Sequence, residues 1–135
     1  MPFVHTVRAR YAEVDMQKVV FNGHWLTYFD DASTRFFESL GFDTRDFGFD
    51  VMVVKSSLEW QGSASFDDEI RIAVSPDRLG NKSFDLRFRA SVDGAPACEG
   101  LITYVSVTPG TRQSSPIPKL LRERLEAAMQ APTIS

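Results

Sequence analysis

The chain is poor in several kinds of residue, and each scarcity excludes something. It has one cysteine, Cys98, and two histidines, His5 and His24, in 135 residues. A lone cysteine cannot form an internal disulfide or a thiolate metal cage, so with only two histidines no metal site is expected; no cofactor is expected either, and a reducing cytoplasm is the simplest home. No stretch approaches the ~18 consecutive apolar residues of a membrane span. Charges interrupt the opening run MPFVHTVRARYAEVD, which therefore lacks the hydrophobic segment of a secretory signal. Excess positive charge is missing too: 15 Lys and Arg stand against 18 Asp and Glu, a net charge of −3. That balance argues against a nucleic-acid binder, which needs clustered cations to neutralise phosphates.

Apolar material is plentiful. Eleven Phe and a hydrophobic share of 43% suffice for one substantial core, and a single domain over residues 1–135 is expected. Apolar and polar residues roughly alternate from Phe3 to Tyr11, which reads as a first strand; if it stays extended, Tyr11, Glu13 and Asp15 share a face. The period then changes. Trp25, Phe29, Ala32, Phe36 and Leu40 recur at helical spacing, Leu26, Ser33 and Phe37 widen the stripe, and Gly41 follows as a C-cap, so the spacing predicts a helix over Asn22–Leu40. Its aromatic side suits a helix enclosed by a sheet.

The sheet is supplied downstream. Val51 to Trp60 alternates, with Met52, Val54, Ser56, Leu58 and Trp60 on one face, and Ile70, Ile72 and Val74 repeat the pattern. Phe84 to Val92 alternates most cleanly, and Asp93-Gly94 is a two-residue hairpin signal leading into Ala97–Val107. Arg78 to Lys82 forms another tight connection. Ser115-Pro116 is expected to open a short C-terminal helix with Leu120, Leu121, Leu125 and Met129 on one side, and Ala131 to Ser135 are expected to fray. Strand, long helix, four strands and terminal helix make an α+β pattern, for which a curled antiparallel sheet around the helix is the natural packing. Pairing between sheet edges in a homo-oligomer would cover an exposed edge.

Asp15 ends the first extended run, and the helix begins seven residues later. A carboxylate opposite a helix N-terminus, with its unpaired N–H groups and partial positive charge, suggests carbonyl chemistry, in which the N–H groups hold an oxyanion. Glu13 is a rival carboxylate whose plain reading is a solvated strand-end charge. Asn22 is a good helix N-cap by type. His24 either orients a substrate carbonyl or water, or simply packs at the helix start. Cys98 reads as a small buried hydrophobe rather than a nucleophile. Most of the aromatic stripe reads as core.

These segments resemble the 4-hydroxybenzoyl-CoA thioesterase-like acyl-CoA thioesterases of the hot-dog fold superfamily, over nearly the whole chain. The resemblance rests on Tyr11, Glu13, Asp15, Val19-Val20-Phe21 and the helix carrying Tyr28-Phe29 and Ala32, then on SASFDDEIRIAVSPDRLGNKSFDLRFRASVDGAPACEGLITYVSV with its Arg-Leu-Gly turn and Asp-Gly hairpin. It departs from the family's usual pattern at Lys18, where members commonly have glycine, and in the order Asn22-Gly23-His24.

The resemblance implies a hot-dog fold and hydrolysis of an acyl-CoA thioester, with Asp15 catalytic, the oxyanion-binding N–H near Asn22, and His24 beside them. Coenzyme A is then part of the substrate. Lys55, Lys82 and Arg78 are candidates to meet its phosphates, since an acidic protein needs a local basic patch for a polyanion. A homodimer or homotetramer with active sites between subunits is implied as well. Two other readings remain open here: a hydratase or dehydratase of enoyl thioesters using Asp15 and His24, and a non-catalytic acyl-CoA binding module.

Overall fold

The computed structural model describes residues 3–43 and 45–130, so the expected fraying of residues 131–135 lies outside it. Five strands, β1 (Phe3–Arg8), β2 (Asp50–Trp60), β3 (Glu69–Leu79), β4 (Ser83–Val92) and β5 (Ala95–Val107), form one antiparallel sheet in the order β1-β3-β4-β5-β2. Helix α1 (His24–Ser39) lies between β1 and β2 in sequence, and α2 (Lys119–Met129) follows β5. This is the α+β hot-dog arrangement that the sequence predicts. Among the described residues no helix is long and apolar enough to cross a membrane.

Alternation decides which side of the sheet meets the helix. Phe84, Leu86, Phe88 and Ala90 are buried, while Arg87 and Arg89 point to the outer face and pair there with Asp77 and Glu99. The β4–β5 hairpin turns on Asp93 (φ 51°) and Gly94 (φ 80°), with Val92 opposite Ala95. Two successive left-handed residues are the conformation that Asp-Gly supplies at low cost and that matches strand twist.

Helix α1 buries Trp25, Tyr28, Phe29, Ala32, Phe36 and Phe37. Phe29 stacks on Phe88 with centroids 5.0 Å apart. The close approach depends on Gly100: a Cβ there would lie 2.7 Å from a Phe29 ring carbon and 2.8 Å from Leu58 Cδ2. At the far end Gly41 takes φ 99°, and its N–H donates to the Glu38 carbonyl. That left-handed step ends the helix where the sequence predicts.

Several boundaries move, each for a local reason. The first strand stops at Arg8, because Tyr11–Glu13 curls into a 3-10 turn in which Glu13 accepts hydrogen bonds from the Arg10 backbone and side chain. Tyr11, Glu13 and Asp15 therefore do not share an extended face. Helix α1 starts at His24 rather than Asn22, and Leu26 is exposed instead of widening the buried stripe. In β2 a bulge between Val53 and Lys55 breaks the expected alternation around Val54. Helix α2 starts at Lys119, not at Ser115-Pro116: Pro118 holds an extended ψ of 143°, and a residue preceding proline is pushed out of the helical region. Of its four expected apolar residues, Leu121 and Leu125 are buried, whereas Leu120 and Met129 are exposed.

Two arginines of α2 tie it down. Arg122 donates to the carbonyls of Gly80 and Asn81 in the β3–β4 turn, and Arg124 donates to the Leu40 carbonyl at the end of α1.

Candidate active site

Asp15 stands in a short hairpin between β1 and α1. Val14 bridges Val20, the Asp15 N–H donates to the Val19 carbonyl at 2.9 Å, and the Lys18 N–H donates back to the Asp15 carbonyl at 2.9 Å. The Asp15 side chain helps make the turn, since its Oδ1 accepts from the Gln17 N–H at 2.8 Å. Short polar side chains favour such local bonds. One oxygen is thereby fixed in direction; among the described residues the other has no hydrogen-bond partner. Closing the turn forces Lys18 to φ 65°, a left-handed conformation that costs a side-chain-bearing residue about 1 kcal/mol.

Two anchors hold this hairpin against the core. The Val20 N–H donates to the Ala64 carbonyl at 2.7 Å, and the Phe21 N–H donates to the Glu13 carbonyl at 3.0 Å. The side chain of Glu13 adds a third tie, and here the reading of Glu13 as a solvated charge is wrong. Only 6% of it is exposed. Its carboxylate accepts from the Arg10 N–H (2.8 Å), the Arg10 guanidinium (2.8 and 3.0 Å) and the Tyr28 hydroxyl (2.8 Å). Burial alone would raise its pKa; the bonds from Arg10 and Tyr28 outweigh that and hold it below the ordinary glutamate value. The same burial, with Glu13 as acceptor, pushes the Tyr28 phenol well above its usual range. Glu13 thus joins the turn before Asp15 to the second turn of α1. Arg10 and Glu13, three residues apart, were the available signal; the partnership with Tyr28, fifteen residues on, left none.

The helix begins without a side-chain cap. Gly23 occupies the N-cap position, and Asn22 takes part through its carbonyl, which accepts from the Trp25 N–H at 3.3 Å. The expected capping by the Asn22 side chain does not occur. Among the described residues the N–H groups of Asn22 and Gly23 have no acceptor, so the donors at this helix end are uncommitted. The half-buried His24 ring meets Phe21 edge-on at 6.0 Å.

Beside the hairpin lies an open pocket of about 910 Å³. Asp15, Lys18, Val14 and Met16 line it from the turn, with Tyr11, Ser65 and Phe66 opposite; the Tyr11 and Phe66 rings pack edge-on with centroids 6.0 Å apart. Among the described residues that line it only Asp15 and Lys18 are charged, and Asn22 and His24 lie outside this lining. The expected phosphate ligands are elsewhere. Arg78, Asp85, Thr103 and Lys55 follow one another across β3, β4, β5 and β2. Arg78 is committed there: its guanidinium donates to both Asp85 oxygens and to Ser83. Lys55 and Lys82 are exposed. Buried Cys98 has its thiol pKa pushed up to about 11 by desolvation, first, and by neighbouring Glu99, which suits a packing role and not a nucleophile. Among the described residues no group of His, Cys, Asp and Glu is arranged to hold a metal.

Comparison with known proteins agrees with this architecture. A sequence model for the "Thioesterase-like superfamily" matches residues 9–125. A 1,4-dihydroxy-2-naphthoyl-CoA hydrolase from Synechococcus elongatus is 24% identical over 122 residues, covering 87% of this chain and 90% of its own. The crystal structure of a 1,4-dihydroxy-2-naphthoyl-CoA thioesterase from Synechocystis superposes with a TM-score of 0.85 at 14% identity, over 98% of this chain and all of the other. A thioesterase from Thermus thermophilus, crystallised with coenzyme A and zinc, gives 0.84 at 25% identity over 96% of each chain.

Proposed function

This chain belongs to the thioesterase-like superfamily, and we propose that it hydrolyses acyl-CoA thioesters with the Asp15 carboxylate as the reacting group. A thioester has an electrophilic carbonyl and a good thiolate leaving group, so one carboxylate and an oxyanion site suffice. Asp15 either attacks the carbonyl carbon, giving a mixed anhydride that water then opens, or removes a proton from the attacking water. On both routes the carbonyl oxygen gains negative charge, the C–S bond breaks, and the products are a carboxylic acid and free coenzyme A. The uncommitted N–H groups of Asn22 and Gly23 at the positive end of α1 are the donors for that oxygen. His24, one residue on, orients the carbonyl or the water.

The observation that carries the reading is the Asp15 carboxylate, fixed by the Gln17 N–H and lining an open pocket. The coenzyme A bound to the Thermus thermophilus relative supports a coenzyme A ester as the ligand class. Exposed Lys55 and Lys82 are the cations left to meet its phosphates, Arg78 being engaged with Asp85. A homodimer, or a tetramer built from it, places each site between subunits. In support, β2 is an eleven-residue edge strand with Val53 and Val54 more than half exposed. The single free cysteine is compatible with a reducing cytoplasm.

The test is thiol release from short, long and aromatic acyl-CoAs. Asp15→Asn, shown to be folded by its melting curve, is expected to lose roughly a hundredfold or more of kcat on every substrate the parent accepts. Parental turnover by that variant would sink the assignment.

A further inference from the structure

Lys18 is held in a conformation its side chain disfavours, for a turn that does not need that side chain. The hairpin requires a left-handed residue at this position, and its hydrogen bonds use only the backbone of Lys18. Glycine or asparagine would satisfy the turn at lower cost. The ammonium has no ion pair or hydrogen bond among the described residues, although it lines the pocket beside Asp15. Strain without a structural return, next to a reacting group, points to a ligand.

The surroundings define the ligand's chemistry. Apart from Asp15 and Lys18 the described lining offers two hydroxyls, of Ser65 and of Tyr11, and otherwise Val14, Met16 and the rings of the Tyr11–Phe66 pair. Such surfaces take a flat apolar group. A negatively charged substituent on that group would be repelled by Asp15 unless a cation stood close by, and Lys18 belongs to the same turn. The position also separates the two anionic parts of an acyl-CoA. Asp15 must meet the thioester carbonyl, so its turn neighbours face the acyl end, whereas the phosphates lie beyond the pantetheine arm.

We propose that Lys18 binds a carboxylate substituent on an aryl acyl group of the substrate and thereby selects aryl-CoA thioesters that carry one. This rests on the reading of Asp15 as the reacting group and extends it to substrate class.

The experiment compares benzoyl-CoA with carboxybenzoyl-CoA, each also as its pantetheine thioester lacking the nucleotide phosphates. The enzymes are the parent, Lys18→Asn, which suits the left-handed turn and removes the charge, and Lys18→Arg, which keeps it. The parental preference for the carboxylated substrate in kcat/KM is expected to fall roughly ten- to hundredfold in Lys18→Asn, the worth of a hydrogen bond to a charged group, and to return largely in Lys18→Arg. The same fall is expected with the pantetheine esters. An unchanged preference in Lys18→Asn overturns the proposal. So does a fall confined to the coenzyme A esters, which would assign the ammonium to a phosphate.

Calorimetric binding of a carboxybenzyl thioether of coenzyme A, which cannot be hydrolysed, separates this from the catalytic reading. Measured in Asp15→Asn with and without Lys18→Asn, it should weaken ten- to hundredfold on loss of the lysine, whatever the turnover result. Equal affinities would refute the role of Lys18 even where Asp15 proves essential. The melting curve of Lys18→Arg is expected to match the parent's, and that of Lys18→Asn to lie at or a little above it, since asparagine relieves the left-handed strain.

Discussion

Glu13 shows how a single side chain joins sequence-distant parts of the site. It is charged, buried and bonded to Arg10 and Tyr28, so removing one donor leaves a partly unsatisfied carboxylate in a dry place. Tyr28→Phe is expected to cost about 1–3 kcal/mol, read from urea denaturation. The pH dependence follows from the depressed carboxyl. A group whose folded pKa lies below its unfolded value stabilises fully above the latter, here an ordinary 4.5, and that contribution drains away as pH falls through the lower folded value. Asp85, also held low against its burial by Arg78 and Thr103, contributes in the same direction. Glu13→Gln should therefore melt earlier at neutral pH and lose less stability between neutrality and acid than the parent; an equally steep acid loss would show that Glu13 is not a contributor. That Asp15 lies between β1 and α1 was legible from the extended run and the helical period on either side of it. The Glu13 environment was not, because Tyr28 lies across the fold and its helical spacing announces only core.

At the level of elements, α1 and the inner face of the sheet are fitted to one another. The Phe29–Phe88 stack leaves no room at Gly100 for even a Cβ. Gly100→Val must push α1 off the sheet or distort β5, at a cost of roughly 1–3 kcal/mol or more. A melting temperature within a degree or two of the parent's would show that the helix has slack. Since α1 also presents the proposed oxyanion donors, the same variant should lose kcat more than it raises KM. Helical and strand periods predicted every one of these elements. The boundaries shifted where local chemistry overrode period, as Glu13 curled the chain after β1 and Pro118 delayed α2; within β2 a bulge between Val53 and Lys55 broke the alternation.

For the whole molecule the open question is what β2 does with its free edge. It is long, and its exposed valines lie beside a row of backbone groups that no other described strand covers. Pairing with the β2 of a second copy would satisfy both. Val53→Lys places a charge at that seam and is expected to shift the protein toward monomer in analytical ultracentrifugation, with loss of thioester hydrolysis in the monomer fraction. A fully active monomer would instead show that each chain holds a complete site.

The sequence by itself determined the order and type of the elements, the Asp-Gly hairpin, the aromatic face of α1 and the position of Asp15, because these depend on periods and turn preferences local to the chain. Tertiary structure decided the rest. Glu13 became a buried tie because Tyr28 came to meet it, Arg78 was taken by Asp85 from a neighbouring strand, and Lys18 came to share a pocket with Phe66. Such partners are set by sheet register and helix placement, which no local pattern encodes.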